Sequence, residues 1–135
     1  MNEGGNTSLI SGAIDVEMAW NIGKAVAEWF EMPGHVIVMY APLRQDIAGA
    51  VIEGLRLQGR SVADRGHGDL LRAKEHIKAG PCAGAVVVGQ VGDAVTIEIC
   101  HGDGRMLEGE LLQRLWEQAA AGNFVPAPNK GALIK

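Results

Sequence analysis

Aromatic residues are scarce in this sequence, with three Trp, two Phe and one Tyr among 135 residues. Sequence-independent nucleic-acid binders need aromatic platforms for bases or a basic stripe, and here the net charge is −4. No apolar run approaches the ~20 residues that span a bilayer. The N-terminus also lacks the basic and apolar regions of a signal peptide. We therefore expect a cytoplasmic protein that binds neither nucleic acid nor membrane.

Cysteine and histidine are also few, at two and four residues. Their spacing does not match a zinc site, so the sequence predicts no metal centre. Cys82 and Cys100 flank a predicted hairpin, which brings them near each other. In a cytoplasmic chain we expect two buried, reduced thiols, and a disulfide is the alternative for an oxidising setting.

Apolar residues make up 47% of the chain and charged residues 21%, a composition typical of one globular domain. Apolar periodicity separates helices from short strands along the sequence. It predicts the order helix, strand, helix, strand, helix, strand, strand, helix, at about 15–31, 36–40, 46–59, 61–63, 70–80, 85–88, 95–100 and 111–122. Residues 64–69 are predicted as a loop, and Asp15 and Asp46 as helix N-caps.

This order predicts an α/β fold in which helices cover both faces of a mixed sheet. We expect three layers and a four-stranded sheet with three parallel strands. The fourth strand would be an antiparallel edge strand, because only a tight turn over Gly89 to Asp93 separates it from the third. Three segments are expected: a flexible N-terminus at 1–8, the domain at 9–122 and an extended C-terminal linker at 123–135.

Four collinear segments resemble the first domain of the α-D-phosphohexomutases, the phosphomannomutase and phosphoglucomutase family. They are residues 9–29, 51–55, 101–110 and 123–126, and together they extend over nearly the whole chain. The resemblance implies the same four-stranded fold. It also implies transfer of a phosphoryl group between two hydroxyls of a hexose through a phosphoserine.

The sequence departs from the family where that chemistry takes place. The family's Thr-Ala-Ser-His-Asn-Pro nucleophile loop corresponds to Gly89-Gln90-Val91-Gly92-Asp93, which holds no Ser, Thr or His. The family's opening Arg corresponds to Ser11, and the nearest hydroxyl, Thr96, is predicted inside a strand. The family's metal loop would follow this chain, so magnesium is expected only if further domains complete the protein, and no cofactor is expected otherwise.

We therefore predict no catalytic residue and no metal ligand. Three residues are candidate ligands for an anion or a sugar phosphate: Arg44, Gly89 and Gln90. Arg44 follows a parallel strand, where open α/β sheets bind ligands. Two weaker candidates are the Gly66-His67-Gly68 segment at a helix start, which could cradle an anion, and the turn at 101–105, which superficially resembles a metal loop.

The functional expectation is a stand-alone domain that lacks the phosphoserine loop and acts as a non-catalytic binding or assembly module. Its exposed surface would favour a homo-oligomer or a protein partner, where a complete mutase packs its second domain. The alternative is a component or fragment of a phosphomannomutase or phosphoglucomutase that acts with domains on another chain. If active, it would be an isomerase of the phosphohexomutase type.

Overall fold

The computed structural model describes residues 9–134, and the flexible segment predicted at 1–8 lies outside them. Four helices and six strands make up the described chain. In chain order they are β1 Leu9–Gly12, α1 Val16–Trp29, β2 Val36–Tyr40, α2 Gln45–Leu57, β3 Val62–His67, α3 Leu70–Ala79, β4 Gly84–Val91, β5 Ala94–His101, α4 Glu110–Ala121 and β6 Leu133–Ile134. Within residues 9–134, no helix is both long and apolar enough to span a membrane.

A single mixed sheet forms the middle layer, with the strand order β1-β5-β4-β2-β3-β6. β4, β2, β3 and β6 run parallel to one another, and β5 is antiparallel to β4 and to β1. The predicted α/β class and three layers are confirmed. The predicted count of four strands is wrong, and β5 is not an edge strand because β1 pairs along its outer side. β1 and β6 are four and two residues long, too short for alternation to reveal them.

Helices cover the two faces unequally. The side chains of α1, α2 and α4 pack on one face, where they meet alternate strand residues such as Val36, Val38 and Ile97. Of the four described helices, only α3 packs on the other face, against Ile37 and Met39 of β2 and their neighbours in β4. The period of two along each strand therefore places adjacent residues in different cores.

Local capping explains most of the helix boundaries. The Asp15 side chain accepts a hydrogen bond from the Met18 backbone N–H at 2.8 Å, so its predicted N-cap role is confirmed. The prediction for Asp46 is wrong: α2 begins one residue earlier, and Asp46 accepts from the N–H of Ile47 inside the helix. The predicted loop at 64–69 is wrong over 64–67, which extend β3.

The C-terminal segment, which the sequence predicted as an extended linker, packs on the domain. Gly131 and Arg56 exchange two hydrogen bonds, from the Gly131 N–H at 2.8 Å and from the Arg56 guanidinium at 2.9 Å. Beyond them, β6 pairs with β3 at Val62. Phe124 packs against the larger core, near the ammonium of Lys24. The sequence did not predict these contacts, because prolines favour an extended backbone both in segments that pack on a domain and in segments that do not.

Both cysteines are buried free thiols, which confirms the prediction of two buried, reduced thiols. Burial raises the pKa of Cys82 and of Cys100 above the ordinary thiol value. Both belong to the smaller core under α3. They are packing residues of that core.

Candidate functional site

A cleft of about 550 Å³ opens at the carboxyl edge of the sheet, on the side of α3. The parallel strands β2, β3 and β4 all end at this edge, and α3 begins there. Open α/β sheets generally bind ligands at such an edge. The cleft is lined by residues of four strands or strand ends and the first turn of α3: Tyr40, Ala41, Pro42, His67, Gly68, Asp69, Arg72, Val87, Val88, Gly89, Gln90, Thr96 and Glu98.

The cleft exists because α3 does not reach across the whole sheet. α3 packs on β2 and β4 and, among the described residues, shares its core with β5 only at Cys100, near the far end of that strand. Alternation along β5 turns Val95, Ile97 and Ile99 into the core under α1 and α4. Thr96 and Glu98 therefore face the cleft.

Two carboxylates line the cleft. Glu98 is half-buried, and this burial is the main cause that raises its pKa; the carboxylate of Asp69 raises it further, and Lys74 opposes both. Asp69 is the N-cap of α3, where it accepts a hydrogen bond from the Arg72 N–H at 3.1 Å. The acidic character of this wall is therefore fixed by the fold.

The remaining polar groups of the cleft are partly engaged elsewhere. The Arg72 guanidinium lies 3.8 Å from the Glu75 carboxylate on the outer side of α3. The His67 ring meets Tyr40 edge to face, with 5.5 Å between ring centroids. Burial, and then the nearby carboxylate of Asp64, raise the pKa of the Tyr40 hydroxyl. Tyr40 and His67 thus form one aromatic side of the cleft, and the Tyr40 hydroxyl is the polar group at its end.

The structure brings the three predicted ligand residues together. Gly89 and Gln90 line the cleft, whereas Arg44 lies behind them. The Nε of Arg44 donates to Gln90 Oε1 at 2.8 Å, and its guanidinium lies 3.9 Å from Asp46. Arg44 therefore holds the Gln90 amide in place, and the ligand role of these residues stays a prediction.

The hairpin between β4 and β5 is tighter than the sequence suggested. The turn consists of Gly92 and Asp93, and the predicted turn residues 89–91 belong to β4. Gly92 has φ of 61°, which suits the first position of a two-residue hairpin turn. Neither turn residue carries a hydroxyl group, so the nucleophile that the family resemblance would imply has no counterpart at this turn.

Two further sequence candidates can be tested against the contacts. At 101–105, Arg105 occupies both oxygens of Asp103, through its backbone N–H at 3.0 Å and its Nε at 2.6 Å. These bonds, the backbone one first, lower the pKa of Asp103. The turn therefore does not fit a metal ion, and no cluster of three metal-ligating side chains occurs among the described residues. The anion cradle at 66–68 lies beside Asp69, whose carboxylate already caps the helix.

Sequence reasoning missed most of the cleft. It placed Thr96 and Glu98 on a polar strand face, but nothing in their spacing showed that α3 leaves a cleft beside them. His67 and Asp69 were assigned to a loop leading to a helix, and Arg72 to the helix itself. The one available signal was that three strand ends meet at one edge.

Comparison with known proteins supports the fold. No family model matches the chain, and no curated protein is similar to it. The structure is similar to that of a phosphoglucomutase/phosphomannomutase family protein from Burkholderia thailandensis, with a TM-score of 0.79 and 19% sequence identity. The match covers 96% of this chain and 32% of that one, so this chain spans about a third of its length. The likeness confirms the fold that the sequence resemblance implied.

Proposed function

We propose that this chain is a non-catalytic binding module on a phosphohexomutase-type fold, and that its ligand is a small polar molecule held in the cleft. The observation that carries the proposal is the combination of an open cleft with a hairpin turn that has no hydroxyl group. The volume of the cleft, about 550 Å³, suits a ligand of one or two rings. Gly89 and Gln90 would contact it, and Arg44 would position Gln90.

Phosphoryl transfer requires a nucleophile that can reach a bulky phosphoryl donor. The hydroxyl group that lines this cleft on β5 is that of Thr96, which reaches the cleft surface with 7% exposure, enough for a hydrogen bond, and is fixed within a ladder paired to Gly89. A side chain fixed within a strand in this way cannot move toward a phosphoryl donor as a serine in a loop can. The proposal therefore predicts no turnover by this chain alone.

Two assays test the proposal. A phosphoglucomutase assay with a hexose bisphosphate activator should give no turnover above background. A thermal-shift screen of polar metabolites should find a ligand that stabilises the wild type and not Gly89→Leu, whose Cβ would displace the Thr96 hydroxyl and whose side chain would enter the cleft. Circular dichroism checks that the variant folds, and Gln90→Trp is a second way to occlude the cleft. Turnover, or equal stabilisation of the wild type and both folded variants, would overturn the proposal.

A second candidate function is a component of a larger phosphotransferase. It is favoured by the coverage of 32% of the similar mutase-family protein. It is also favoured by an apolar rim, two exposed side chains that follow the cleft residues Pro42 and Gln90 in the chain. Leu43 is 76% exposed and Val91 is 70% exposed. Exposed apolar groups at a site often mark a surface that another polypeptide covers.

The size of the endogenous polypeptide separates the two candidates. If the chain acts as a module on its own, an antibody against this domain should bring down a band near 14.3 kDa without mutase activity. A band of roughly three times that mass with peptides beyond residue 135, or a second polypeptide that co-purifies with mutase activity, would favour the larger phosphotransferase. Light scattering of wild type and Leu43→Asp then shows whether the apolar rim joins copies of the chain: only the wild type should self-associate if it does.

A further inference from the structure

The charges that line the cleft do not suit a phosphoryl group. Glu98 and Asp69 are both carboxylates of the wall, and the one guanidinium among the lining residues belongs to Arg72. The Arg72 guanidinium also lies within ion-pair distance of the Glu75 carboxylate on the outer side of α3. A dianionic phosphate in this space would meet two negative groups directly, against one partly neutralised guanidinium and the ammonium of Lys74, which already acts on Glu98 and does not line the cleft. Like charges at close range cost affinity, more so where water is excluded.

The same wall offers unused capacity for hydrogen bonds to hydroxyl groups. Thr96 and Glu98 lie two residues apart on one face of β5, and both line the cleft. Among residues 9–134, neither side chain has a hydrogen-bond partner. A carboxylate accepts from hydroxyl donors in short, charge-assisted bonds, and a threonine hydroxyl both donates and accepts. Two adjacent acceptors of this kind match neighbouring hydroxyls on a ring.

The rest of the lining suits the carbon skeleton of such a ring. Val87 forms an apolar floor beside the two polar β5 side chains, and Tyr40 stands against His67 at one side. The C–H groups of a sugar can pack on apolar and aromatic surface while its hydroxyls reach polar groups. Ligand sites commonly combine a mostly apolar lining with a few placed polar groups.

We propose that the cleft takes a neutral, hydroxyl-rich ligand, a sugar or related polyol without a phosphoryl group, whose hydroxyls bond to Glu98 and Thr96. This inference rests on the proposed function, since it names the ligand class of the same cleft. It separates this chain from a site built for sugar phosphates. Charge selects the ligand: the carboxylate pair favours hydroxyl donors and rejects phosphate.

NMR titration of the ¹⁵N-labelled full chain tests the ligand class with defined probes. D-Glucose, D-mannose, their 1- and 6-phosphates, and D-glucosamine are each added at the same pH and ionic strength. At least one neutral sugar should shift the amide signals of β5 and the first turn of α3. Its phosphate ester should bind at least about tenfold more weakly. The inference is overturned if a phosphate or the amine binds more tightly than the neutral sugars, or if no probe shifts these signals.

A charge-neutralising variant gives the second readout. Glu98→Gln keeps the size of the side chain and removes the charge, so the preference for neutral sugar over its phosphate should shrink several-fold. Glu108→Gln, an exposed glutamate outside the cleft, is the matched control and should leave the preference unchanged. An unchanged preference in a folded Glu98→Gln protein refutes the inference.

The outcomes also separate the two proposals. If the sugar phosphates bind in the cleft of the wild type and not to Gly89→Leu, the proposed binding module holds and only the proposed ligand class is overturned. A ligand that binds equally to the wild type and to the occluded variants overturns the binding module itself.

Discussion

The two faces of the sheet differ in how completely they are covered. On the face of α1, α2 and α4, three helices share one continuous core, and glycines bring α1 and α2 into close contact. On the other face, α3 covers β2, β4 and the Cys100 end of β5, and leaves a cleft beside Thr96 and Glu98. We expect the first face to supply most of the stability, whereas the second borders the cleft that we propose as a binding site. Each prediction below compares the two faces.

The largest contrast should come from neighbouring residues of β5. Ile97 is fully buried under α1 and α4, whereas Thr96 faces the cleft. Ile97→Ala should lower the free energy of unfolding by about 2–5 kcal/mol, because it removes apolar contacts and leaves a cavity. Thr96→Val should change it by less than about 1 kcal/mol. Urea unfolding of both variants measures the difference, and equal losses would contradict the division between the faces.

A smaller effect is expected where α1 and α2 meet. A Cβ on Gly54 would overlap the backbone carbonyl oxygen of Trp20, so the helices must move apart to admit it. Gly54→Ala should therefore cost about 1–3 kcal/mol.

The control lies in the same helix. Gly49 is exposed in α2 and has open space around its Cβ position. Gly49→Ala should stabilise the chain by about 0.4–1 kcal/mol through helix propensity and backbone entropy. Destabilisation by both substitutions would show that close helix contact is not the cause.

On the open face, the effect of Glu98 should depend on pH. Its folded pKa is raised above the unfolded value, mainly by burial, so the folded chain holds the proton more tightly. The protonated carboxyl therefore contributes to the free energy of unfolding. This contribution is complete at a pH below the unfolded pKa and is lost as the pH rises through the folded pKa. Glu98→Gln should thus match the wild type more closely in acid and exceed its stability near neutral pH.

Urea midpoints across a pH series measure this difference. The Glu108→Gln control, exposed and remote from the cleft, should give a curve parallel to that of the wild type. A difference between Glu98→Gln and the wild type that shrinks with rising pH would contradict the sign.

The smallest effect is expected at the C-terminal segment. Lys130 donates to Glu53 at 2.7 Å, and this bond is the main cause that lowers the pKa of Glu53. Both side chains are about half exposed, so Lys130→Met should cost no more than about 1 kcal/mol. Hydrogen exchange should become faster over 123–134 only. A loss as large as that of Ile97→Ala would show that the segment belongs to the main core.

The sequence was most informative where periodicity is strong. The strand at 36–40, the cap at Asp15 and the stop at Gly80 were all predicted from local pattern, because short-range sterics and hydrogen bonds decide them. β6 depends instead on a long-range pairing with Val62, and two residues carry no periodic signal. The cleft was missed for a related reason: it is the space between α3 and the start of β5, and no local sequence pattern encodes where a helix packs on a sheet.

The most direct test of the central claim is the intact mass of the protein after incubation with a hexose bisphosphate and magnesium. A non-catalytic module whose hairpin turn is Gly92-Asp93 should keep its mass unchanged. A stable phosphoryl adduct that is then passed to a hexose phosphate would contradict the account.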